Sequence, residues 1–453
     1  MSQSSVTARY TNAYATALDI LKPEKLPLAF KRYGQQGANT YLWLRAMSAK
    51  RMVSNELYSH WEEDLINPTF SALAGVGAGA SQLITLSPTD LNAASQFYPQ
   101  RTDILFFKGG KKGIVTAVDS TTNPAAPVLT VVPLNASYTL DAVTAGDVIS
   151  VISNSSSEGA DQPNGRATGY TEFTFQTQLI KSTVGATGTA LTDQTWLTLD
   201  GLPDAPLYTE ALDKMAYRQS LAISHALLTG VPTDDTVLDS TTGLPFKATE
   251  GMLTVANRLG NPRTYTPGSY TVADFDGYAR ILDREYAPNE VSYRGGLDHM
   301  QDVENGLVNY LAGTRVDYTG VKSQMNSLGV TQDMSINIGF SYLTKGGRVF
   351  AFSREPMFTN QQTLGIPGSS MPTTAILTPM GMATDAQSGQ RRNILGYVYK
   401  GYGAYSRENE TWSVNGAGPG MKVLSTDLAN SYMRSEIGGE WFGVNQWITV
   451  TGA

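Results

Sequence analysis

Two neighbouring stretches decide the fold of this chain: YTEFTFQTQLI at residues 170–180 and LYTEALDKMAYRQSLAISHALL at residues 207–228. In the first stretch, apolar side chains alternate with polar ones, which is the period of a β-strand. The second stretch has no glycine or proline, and as an α-helix it would be about 33 Å long at 1.5 Å per residue. Pro206 precedes it and Gly230 follows it, as expected for helix start and stop signals. We therefore predict a strand followed by a long helix.

The long helix carries an incomplete apolar stripe. Leu212, Met215 and Ala222 lie along one side at helical spacing, but Arg218 and Gln219 interrupt them. We therefore predict that this helix is only partly covered by the rest of the chain.

The predicted strand lies in a thin segment that has little apolar material to bury. Residues 153–159 are polar, residues 181–189 are rich in glycine and threonine, and residues 192–199 resemble a strand again. A long hairpin with so few core residues is poorly stabilised in isolation. We therefore predict that residues 153–203 form an extended hairpin that is stabilised by lying on a neighbour.

The remaining segments also give secondary-structure predictions. Short β-branched runs separated by turn residues predict a small antiparallel sheet or barrel over residues 101–152. Residues 61–100 contain Gly75, Gly77 and Gly79, whose spacing differs from the dinucleotide fingerprint, so this segment is predicted to be a linker with a flexible loop. Helical periodicity predicts helices at 10–21, 40–61, 271–286 and 299–311, and β-rich runs predict strands at 349–352 and 394–399.

Composition and charge narrow the class of protein. The 453 residues are 41% hydrophobic and 16% charged, which suits a folded protein and excludes a mostly disordered chain. No apolar run reaches the ~18–20 residues that a membrane-spanning helix needs. The N-terminus shows no signal-peptide pattern, so we expect no secretion by that route. Net charge is −7, yet residues 1–53 hold eight basic and two acidic side chains, a basic segment on an acidic body that could face a polyanion.

Catalytic and metal-binding motifs are scarce. The chain has no cysteine and three histidines, His60, His225 and His299, a small stock for acid–base chemistry. His299 with Asp302 has helical i,i+3 spacing that suits part of a metal site, although a solvated helix face is the simpler interpretation. The pair Asp234-Asp235 remains open as a glycosidase-type pair of acids. We expect no catalytic residue, no metal and no cofactor.

The order of these segments resembles a known family. A basic N-terminal segment, a thin hairpin, a long helix ending in LLTG and a mixed α/β body resemble the major capsid proteins of tailed double-stranded DNA bacteriophages, which have the Hong Kong 97-like fold. The most suggestive stretches are EGADQP at 158–163, FTFQTQLI at 173–180 and TGT at 187–189. The likeness covers residues 155–230 by motif and the whole chain by the order of its elements.

The resemblance implies an α+β fold with a defined domain order. In chain order, it implies an N-terminal arm at 1–60, a linker at 61–100, a small β-rich insertion at 101–152, the extended hairpin called the E-loop at 153–203, a peripheral domain with the spine helix at 204–262, an axial domain at 263–395 and a return to the peripheral domain at 396–453. The β-rich segment departs from the minimal pattern of the family, either as an inserted domain or as part of an elaborated hairpin.

The resemblance also implies roles for individual residues. The residues expected to contact neighbouring subunits are Tyr10, Tyr14, Leu18, Leu21, Phe173, Phe175, Gln178 and Lys181. The residues expected to face packaged DNA in the lumen are Lys22, Lys25, Lys31, Arg32, Arg45, Lys50 and Arg51. Some relatives crosslink a hairpin lysine to a neighbour's asparagine, but no motif here supports that chemistry.

The function that the resemblance implies is self-assembly into pentamers and hexamers of an icosahedral shell around double-stranded DNA. The implied partners are copies of the chain, DNA bound without sequence reading, and portal, scaffold and decoration proteins. The implied locations are the virion capsid and, during assembly, the host cytoplasm, with no membrane. Two alternatives stay open: a β-rich carbohydrate-active or sugar-binding protein whose Trp61, Trp196 and Trp412 line a cleft, and another virion or nanocompartment component.

Overall fold

The structure, a computed structural model, describes most of the chain beyond residue 39. The described residues are 40–47, 50–63, 69–87, 99–122, 124, 126–163, 165, 170–192, 207–234, 236–313, 342–359, 366–368, 370–384, 391–393, 395–417 and 422–453. The chain divides into two compact units. We call Met1–Tyr58 with Phe175–Ala453 the main unit and Ser59–Thr174 the β unit.

The described residues form seven α-helices and 22 strands. The helices are α1 (Thr40–Ala46), α2 (Gly188–Thr192), α3 (Leu207–Thr229), α4 (Met252–Leu259), α5 (Val272–Arg284), α6 (Leu297–Gly313) and α7 (Pro356–Thr359). The strands are β1 (Lys50–Val53), β2 (Leu57–Glu63), β3 (Thr69–Ser71), β4 (Gln82–Thr85), β5 (Asp103–Phe106), β6 (Lys112–Asp119), β7 (Val128–Pro133), β8 (Val148–Asn154), β9 (Tyr170–Gln176), β10 (Gln178–Thr187), β11 (Asn261–Tyr265), β12 (Glu290–Gly295), β13 (Tyr342–Lys345), β14 (Arg348–Arg354), β15 (Thr374–Pro379), β16 (Met382–Thr384), β17 (Arg391–Asn393), β18 (Leu395–Tyr402), β19 (Tyr405–Ser406), β20 (Glu410–Asn415), β21 (Leu428–Trp441) and β22 (Ile448–Gly452). A short 3₁₀ helix spans Val444–Gln446.

The β unit is built on a six-stranded antiparallel sheet with the strand order β3-β8-β5-β6-β7-β4. Alternate side chains of these strands point to one side and form a buried core that includes Phe70, Ile84, Leu105 and Val131. Burying each such side chain stabilises the fold by about 1.5–3 kcal/mol. The β unit therefore has a hydrophobic core of its own.

This sheet extends beyond the predicted β-rich segment 101–152. Strands β3 and β4 form its two edges, although residues 61–100 were expected to be a linker. Each of these strands is only three or four residues long, too short for a clear alternating pattern, and glycines lie between them. The glycine run itself joins the fold through isolated bridges from Val76 to Val143 and from Gly79 to Leu140.

The first sheet of the main unit, which we call the long sheet, has the strand order β1-β18-β21-β10, with β19 and β20 added at the side. Strand β21 has 14 residues, and its antiparallel partner β10 has 10. Helix α3 packs on both of these strands. The helix, predicted at 207–228, is confirmed with its C-terminus at Thr229.

Helix α3 is partly covered, as predicted, but Gln219, which interrupts its apolar stripe, lies on the covered side. Gln219 is fully buried, and its Nε2 donates to the carbonyl oxygen of Ile180 at 3.0 Å and to Ser435 Oγ at 3.1 Å. Ser182 Oγ donates to Gln219 Oε1 at 2.6 Å. The polar residue that interrupts the stripe therefore fastens the helix to β10 and β21, because a buried amide must find hydrogen-bond partners.

The second sheet of the main unit, which we call the mixed sheet, has the strand order β11-β22-β15-β12-β14-β13. Its core includes Phe275 and Leu282 from α5, Val303 from α6, and Tyr293 and Phe350 from the strands. The backbone N–H of Thr271 donates to Asp274 Oδ2 at 2.8 Å and caps the start of α5. The C-terminal strand β22 lies between β11 and β15 in this sheet, whereas residues 396–453 were expected to return to the other domain.

The predictions for elements near the N-terminus need two corrections. The helix predicted over 40–61 ends at Ala46, and β1 and β2 follow it. Strand β1 pairs in parallel with β18, a contact distant in sequence that overrides the helical pattern of the segment. The predicted first helix at 10–21 lies outside the described residues.

The predicted hairpin over 153–203 also differs from the structure. Strand β10 pairs with β21 of the long sheet over its whole length. Strand β9 pairs instead with β2, and together they form a two-stranded ribbon where the chain passes between the units. Residues 193–203, which include most of the second strand predicted for the hairpin, lie outside the described residues.

Other predicted elements are confirmed. The helices expected at 271–286 and 299–311 correspond to α5 and α6, and the strands expected at 349–352 and 394–399 correspond to β14 and β18. Within the described part of the chain, no helix combines the length and the apolar character required to span a bilayer.

Candidate functional site

The three histidines do not converge on a catalytic centre. His299 is fully buried in the core of the mixed sheet, where its Nε2 lies 2.6 Å from the hydroxyl of Tyr293. The expectation of a solvated helix face around His299 is therefore wrong. His60 lies in the β unit with its Nε2 3.2 Å from Glu62 Oε1, and His225 is half-buried in α3. Among the described residues, no group of three His, Asp or Glu side chains is placed to hold a metal ion.

Helix α1 lies at a junction of the long sheet, the mixed sheet and helix α3, which we call the arm junction. Thr40 Oγ1 donates to Glu355 Oε2 at 3.1 Å, and Glu355 forms a buried ion pair with Arg294 of β12. The guanidinium carbon of Arg294 lies 4.0 Å from the ring centroid of Trp43. Burial lowers the pKa of Arg294, whereas the neighbouring carboxylate of Glu355 acts in the opposite direction. The two charges therefore depend on each other.

Tyr41 connects the arm junction to the long helix and the long sheet. Its backbone N–H donates to Ser224 Oγ of α3 at 3.1 Å. Its ring packs edge-on against Tyr397 of β18, with 5.4 Å between the centroids. Asn409 Nδ2 donates to the Tyr41 hydroxyl at 2.7 Å, and burial raises the pKa of that hydroxyl. Helix α1 is thus fixed to the rest of the main unit at this point.

The basic residues expected to face DNA have different outcomes. Lys50 Nζ lies 3.0 Å from Glu408 Oε2, and Arg51 forms two hydrogen bonds with the carboxylate of Glu440. These two charges are paired within the chain, and their role towards DNA stays a prediction. Arg45 is exposed on α1, and its role stays a prediction. The other residues of this set, Lys22, Lys25, Lys31 and Arg32, lie outside the described residues.

The residues expected at contacts between subunits differ in how far their own chain buries them. Phe175 is 4% exposed and stacks on Tyr58 of its own chain, with 6.0 Å between the ring centroids, and its contact with a neighbour stays a prediction. Phe173 is half-buried against His60, and Gln178 Oε1 accepts from the backbone N–H of Thr249 at 3.3 Å.

Lys181 differs from these residues because it is exposed on β10. Contacts of Phe173, Gln178 and Lys181 with a neighbouring subunit stay predictions. The four residues of the set in the N-terminal segment, Tyr10, Tyr14, Leu18 and Leu21, lie outside the described residues.

The main unit has two exposed surfaces that no local sequence pattern indicates. The first is a sheet face on which the indole of Trp412 stacks on Tyr432, with 5.4 Å between the ring centroids. The second is a short hairpin over residues 237–246 that follows α3 and carries exposed apolar side chains. The hairpin is rich in threonine and aspartate and has no recognisable strand pattern in the sequence. The sheet face depends on the register of strands that are distant in the chain.

Comparisons with known proteins give structural neighbours only. No family model matches the chain, and no curated protein matches it. A structure from Gordonia phage Cozz has 9% identity and a TM-score of 0.43, and covers 100% of this chain and 98% of its own. A structure from Mycobacterium phage Bobi has 8% identity and a TM-score of 0.42, covering 97% of this chain and 98% of its own.

A third structure is described as the capsid of an empty GTA particle. It has 8% identity and a TM-score of 0.39, and covers 98% of this chain and 100% of its own. At identities and TM-scores of this size, these likenesses do not by themselves establish the fold or the function of this chain.

Proposed function

We propose that this chain is the major capsid protein of a tailed double-stranded DNA bacteriophage and assembles as pentamers and hexamers into an icosahedral shell. One observation carries the proposal: the 23-residue helix α3 lies along the 10-residue strand β10 and the 14-residue strand β21. A long helix on a long sheet, followed by a mixed α/β body, is the arrangement that the resemblance to Hong Kong 97-like proteins implies for the peripheral and axial domains.

In this proposal the E-loop is the ribbon β2–β9, and the segment that forms the six-stranded sheet of the β unit is inserted between these two strands in the chain. Along β2, Leu57 and Trp61 lie on the same side of the strand and both remain more than half exposed. A two-stranded ribbon with one uncovered apolar side is marginally stable unless another surface packs on it. A neighbouring subunit would supply that surface.

A shell needs several different contacts between identical copies that close on themselves. When weak contacts act together, the assembled form becomes much more stable than any one contact. The basic N-terminal segment, with Lys22, Lys25, Lys31 and Arg32 and with Arg45 of α1, would face packaged DNA and bind phosphates without sequence reading. Portal, scaffold and decoration proteins, and assembly in the host cytoplasm, belong to the same proposal.

The proposal is tested by following the size of the purified full-length chain. The chain is expressed alone and examined by size-exclusion chromatography with light scattering, and by negative-stain electron microscopy, over a range of concentrations. We expect rings, sheets or closed shells at high concentration. The variant Trp61→Ser should assemble less readily, because it removes a large exposed apolar side chain from the ribbon. A monomer at every concentration would contradict the proposal.

A further inference from the structure

The hairpin after helix α3 leaves several large apolar side chains more than half exposed. Backbone hydrogen bonds from Phe246 N to Val237 O (2.9 Å) and from Asp239 N to Leu244 O (2.8 Å) close it. Its four large apolar side chains are 53–67% exposed: Val237, Leu238, Leu244 and Phe246. Since neighbouring residues of a strand point to opposite sides, Val237 and Leu238 place apolar surface on both faces. We call residues 237–246 the apolar hairpin.

The apolar hairpin is held in a fixed position. Gln176, which is buried, donates through Nε2 to the carbonyl oxygens of Thr233 (3.1 Å) and Ala248 (2.7 Å) on either side of the hairpin. Thr233 Oγ1 donates to the carbonyl oxygen of Phe246 at 2.7 Å. At the turn, Asp239 accepts from Thr242 Oγ1 at 2.8 Å. The exposed apolar surface is therefore ordered before any partner binds, and such surfaces mark interaction sites.

The apolar hairpin is also acidic. Between residues 231 and 247 the chain has three aspartates, of which Asp239 lies within the hairpin, and one lysine, Lys247. Hydrogen bonds from Thr241 and Thr242 hold the pKa of Asp239 below its usual range, and the positive charge of Lys181 adds to that effect. A partner with an apolar surface and a positive charge would therefore suit this hairpin.

A surface of that chemistry lies on the long sheet of the same chain. The register of β10, β20 and β21 places Lys181 and Glu410 opposite Arg434, and Trp412 opposite Tyr432, all on one face. The guanidinium of Arg434 lies 4.9 Å from the ring centroid of Trp412. Leu179 of β10 and Trp412 are 39% and 40% exposed. We call Leu179, Lys181, Trp412, Tyr432 and Arg434 the aromatic face.

We propose that the apolar hairpin of one copy docks on the aromatic face of a second copy. Tryptophan, tyrosine and arginine are the residues that most often dominate binding energy in protein interfaces. Lys181 and Arg434 against Glu410 leave the aromatic face with one net positive charge, which complements Asp239 in the hairpin and the aspartates that precede it. The contact joins two different surfaces of the same chain, so copies are added head to tail and close into a ring if the rotation permits. The inference rests on the proposed self-assembly and identifies one of its interfaces.

Photo-crosslinking tests the contact directly. Since the chain has no native cysteine, a single introduced cysteine can carry the crosslinker at one chosen position. The variant Leu238→Cys is produced once with ¹⁴N and once with ¹⁵N, and both preparations are labelled with benzophenone maleimide. The two labelled proteins are then mixed, assembled and irradiated. We expect crosslinked peptides that pair one light and one heavy copy, with the partner in residues 178–187 or 410–434. Pairs within one copy only, pairs with other segments only, or no crosslinks would overturn the proposal. Leu83→Cys, on an exposed leucine of the β unit, is the matched control.

A second variant measures the effect on assembly. Leu238→Asp combined with Leu244→Asp should raise the concentration needed for assembly by at least about tenfold, since truncating one anchor of an interface commonly has an effect of this size. The matched control Leu83→Asp should leave that concentration unchanged. Circular dichroism reports whether both variants remain folded. Unchanged assembly of the folded hairpin variant would overturn this inference while leaving the proposed function intact, whereas a wild-type chain that never assembles would overturn both.

Discussion

Individual buried polar side chains determine how the pieces of this chain are joined. Gln219 fastens α3 to two strands of the long sheet, and Gln176 fixes the base of the apolar hairpin. Arg294 and Glu355 form a buried pair to which Thr40 is attached. Each of these groups would be costly to leave unpaired in the interior, so each specifies one arrangement of its neighbours.

At the residue scale, His299 gives a prediction about pH. Burial lowers its pKa to about 3, whereas a histidine in an unfolded chain titrates near about 6.5. Between these values the unfolded state binds a proton that the folded state does not, so stability is full above about pH 6.5 and falls as the pH decreases towards 3. The loss should be on the order of a few kcal/mol.

The test compares urea unfolding of the wild type and His299→Gln at a series of pH values. Glutamine can still hydrogen-bond to the Tyr293 hydroxyl but does not titrate. The free energy of unfolding of the variant should therefore depend less on pH between about 3 and 6.5. Parallel pH profiles for the two proteins would show that His299 is not the group responsible.

At the scale of elements, two consecutive strands of one β-rich stretch pair with different strands. Strands β9 and β10 are separated by the single residue Thr177, yet β9 pairs with β2 in the ribbon and β10 pairs with β21 in the long sheet. Gln176 and Thr177 mark the change: Gln176 bonds towards the apolar hairpin, and Thr177 Oγ1 donates to Glu436 Oε1 at 3.2 Å. Side-chain hydrogen bonds thus divide one β-rich stretch into two elements.

We predict that Gln176 controls the order of the apolar hairpin. Gln176→Ala leaves the carbonyl oxygens of Thr233 and Ala248 without this donor, which costs about 1–3 kcal/mol locally when such groups stay buried. Amide hydrogen exchange, read by mass spectrometry, should become faster in residues 237–246. The control Gln301→Ala removes the same side-chain type from an exposed position on α6 and should leave exchange in the hairpin unchanged. Equal exchange in Gln176→Ala and the wild type would contradict the role of Gln176.

At the scale of the whole molecule, stability and assembly should be coupled. Large side chains such as Trp61 and Leu244 remain more than half exposed in the single chain. A self-association that covers them stabilises the folded form only, because unfolded chains do not present these surfaces.

The thermal unfolding midpoint should therefore rise with protein concentration over about a hundredfold range. Differential scanning fluorimetry at constant buffer composition measures this dependence. The hairpin variant Leu238→Asp with Leu244→Asp should show a weaker dependence than the wild type, and Leu83→Asp should match the wild type. A midpoint that is the same at all concentrations would show that folding and association are independent.

Local sequence signals were sufficient to predict the long helix, the helices α5 and α6, the strands β14 and β18, and the existence of a β-rich segment. These elements have local signals: an uninterrupted helix-forming run in 207–228, four-residue apolar spacing in 299–311, and β-branched runs bounded by turn residues in 101–152. Their side chains meet neighbours close in sequence or a single core, so local periodicity is enough to specify them.

The strand pairings and the exposed surfaces instead follow from tertiary contacts. No local pattern in residues 40–61 indicates that β1 pairs with β18. This pairing with a distant strand overrides the helical pattern of the segment. The burial of Phe175 and the neutralisation of Arg51 by Glu440 depend on partners far along the chain. The aromatic face arises only when three strands adopt their register. Such features depend on which distant residues become neighbours. The free energy of those contacts cannot be read from the local spacing of residue types along the chain.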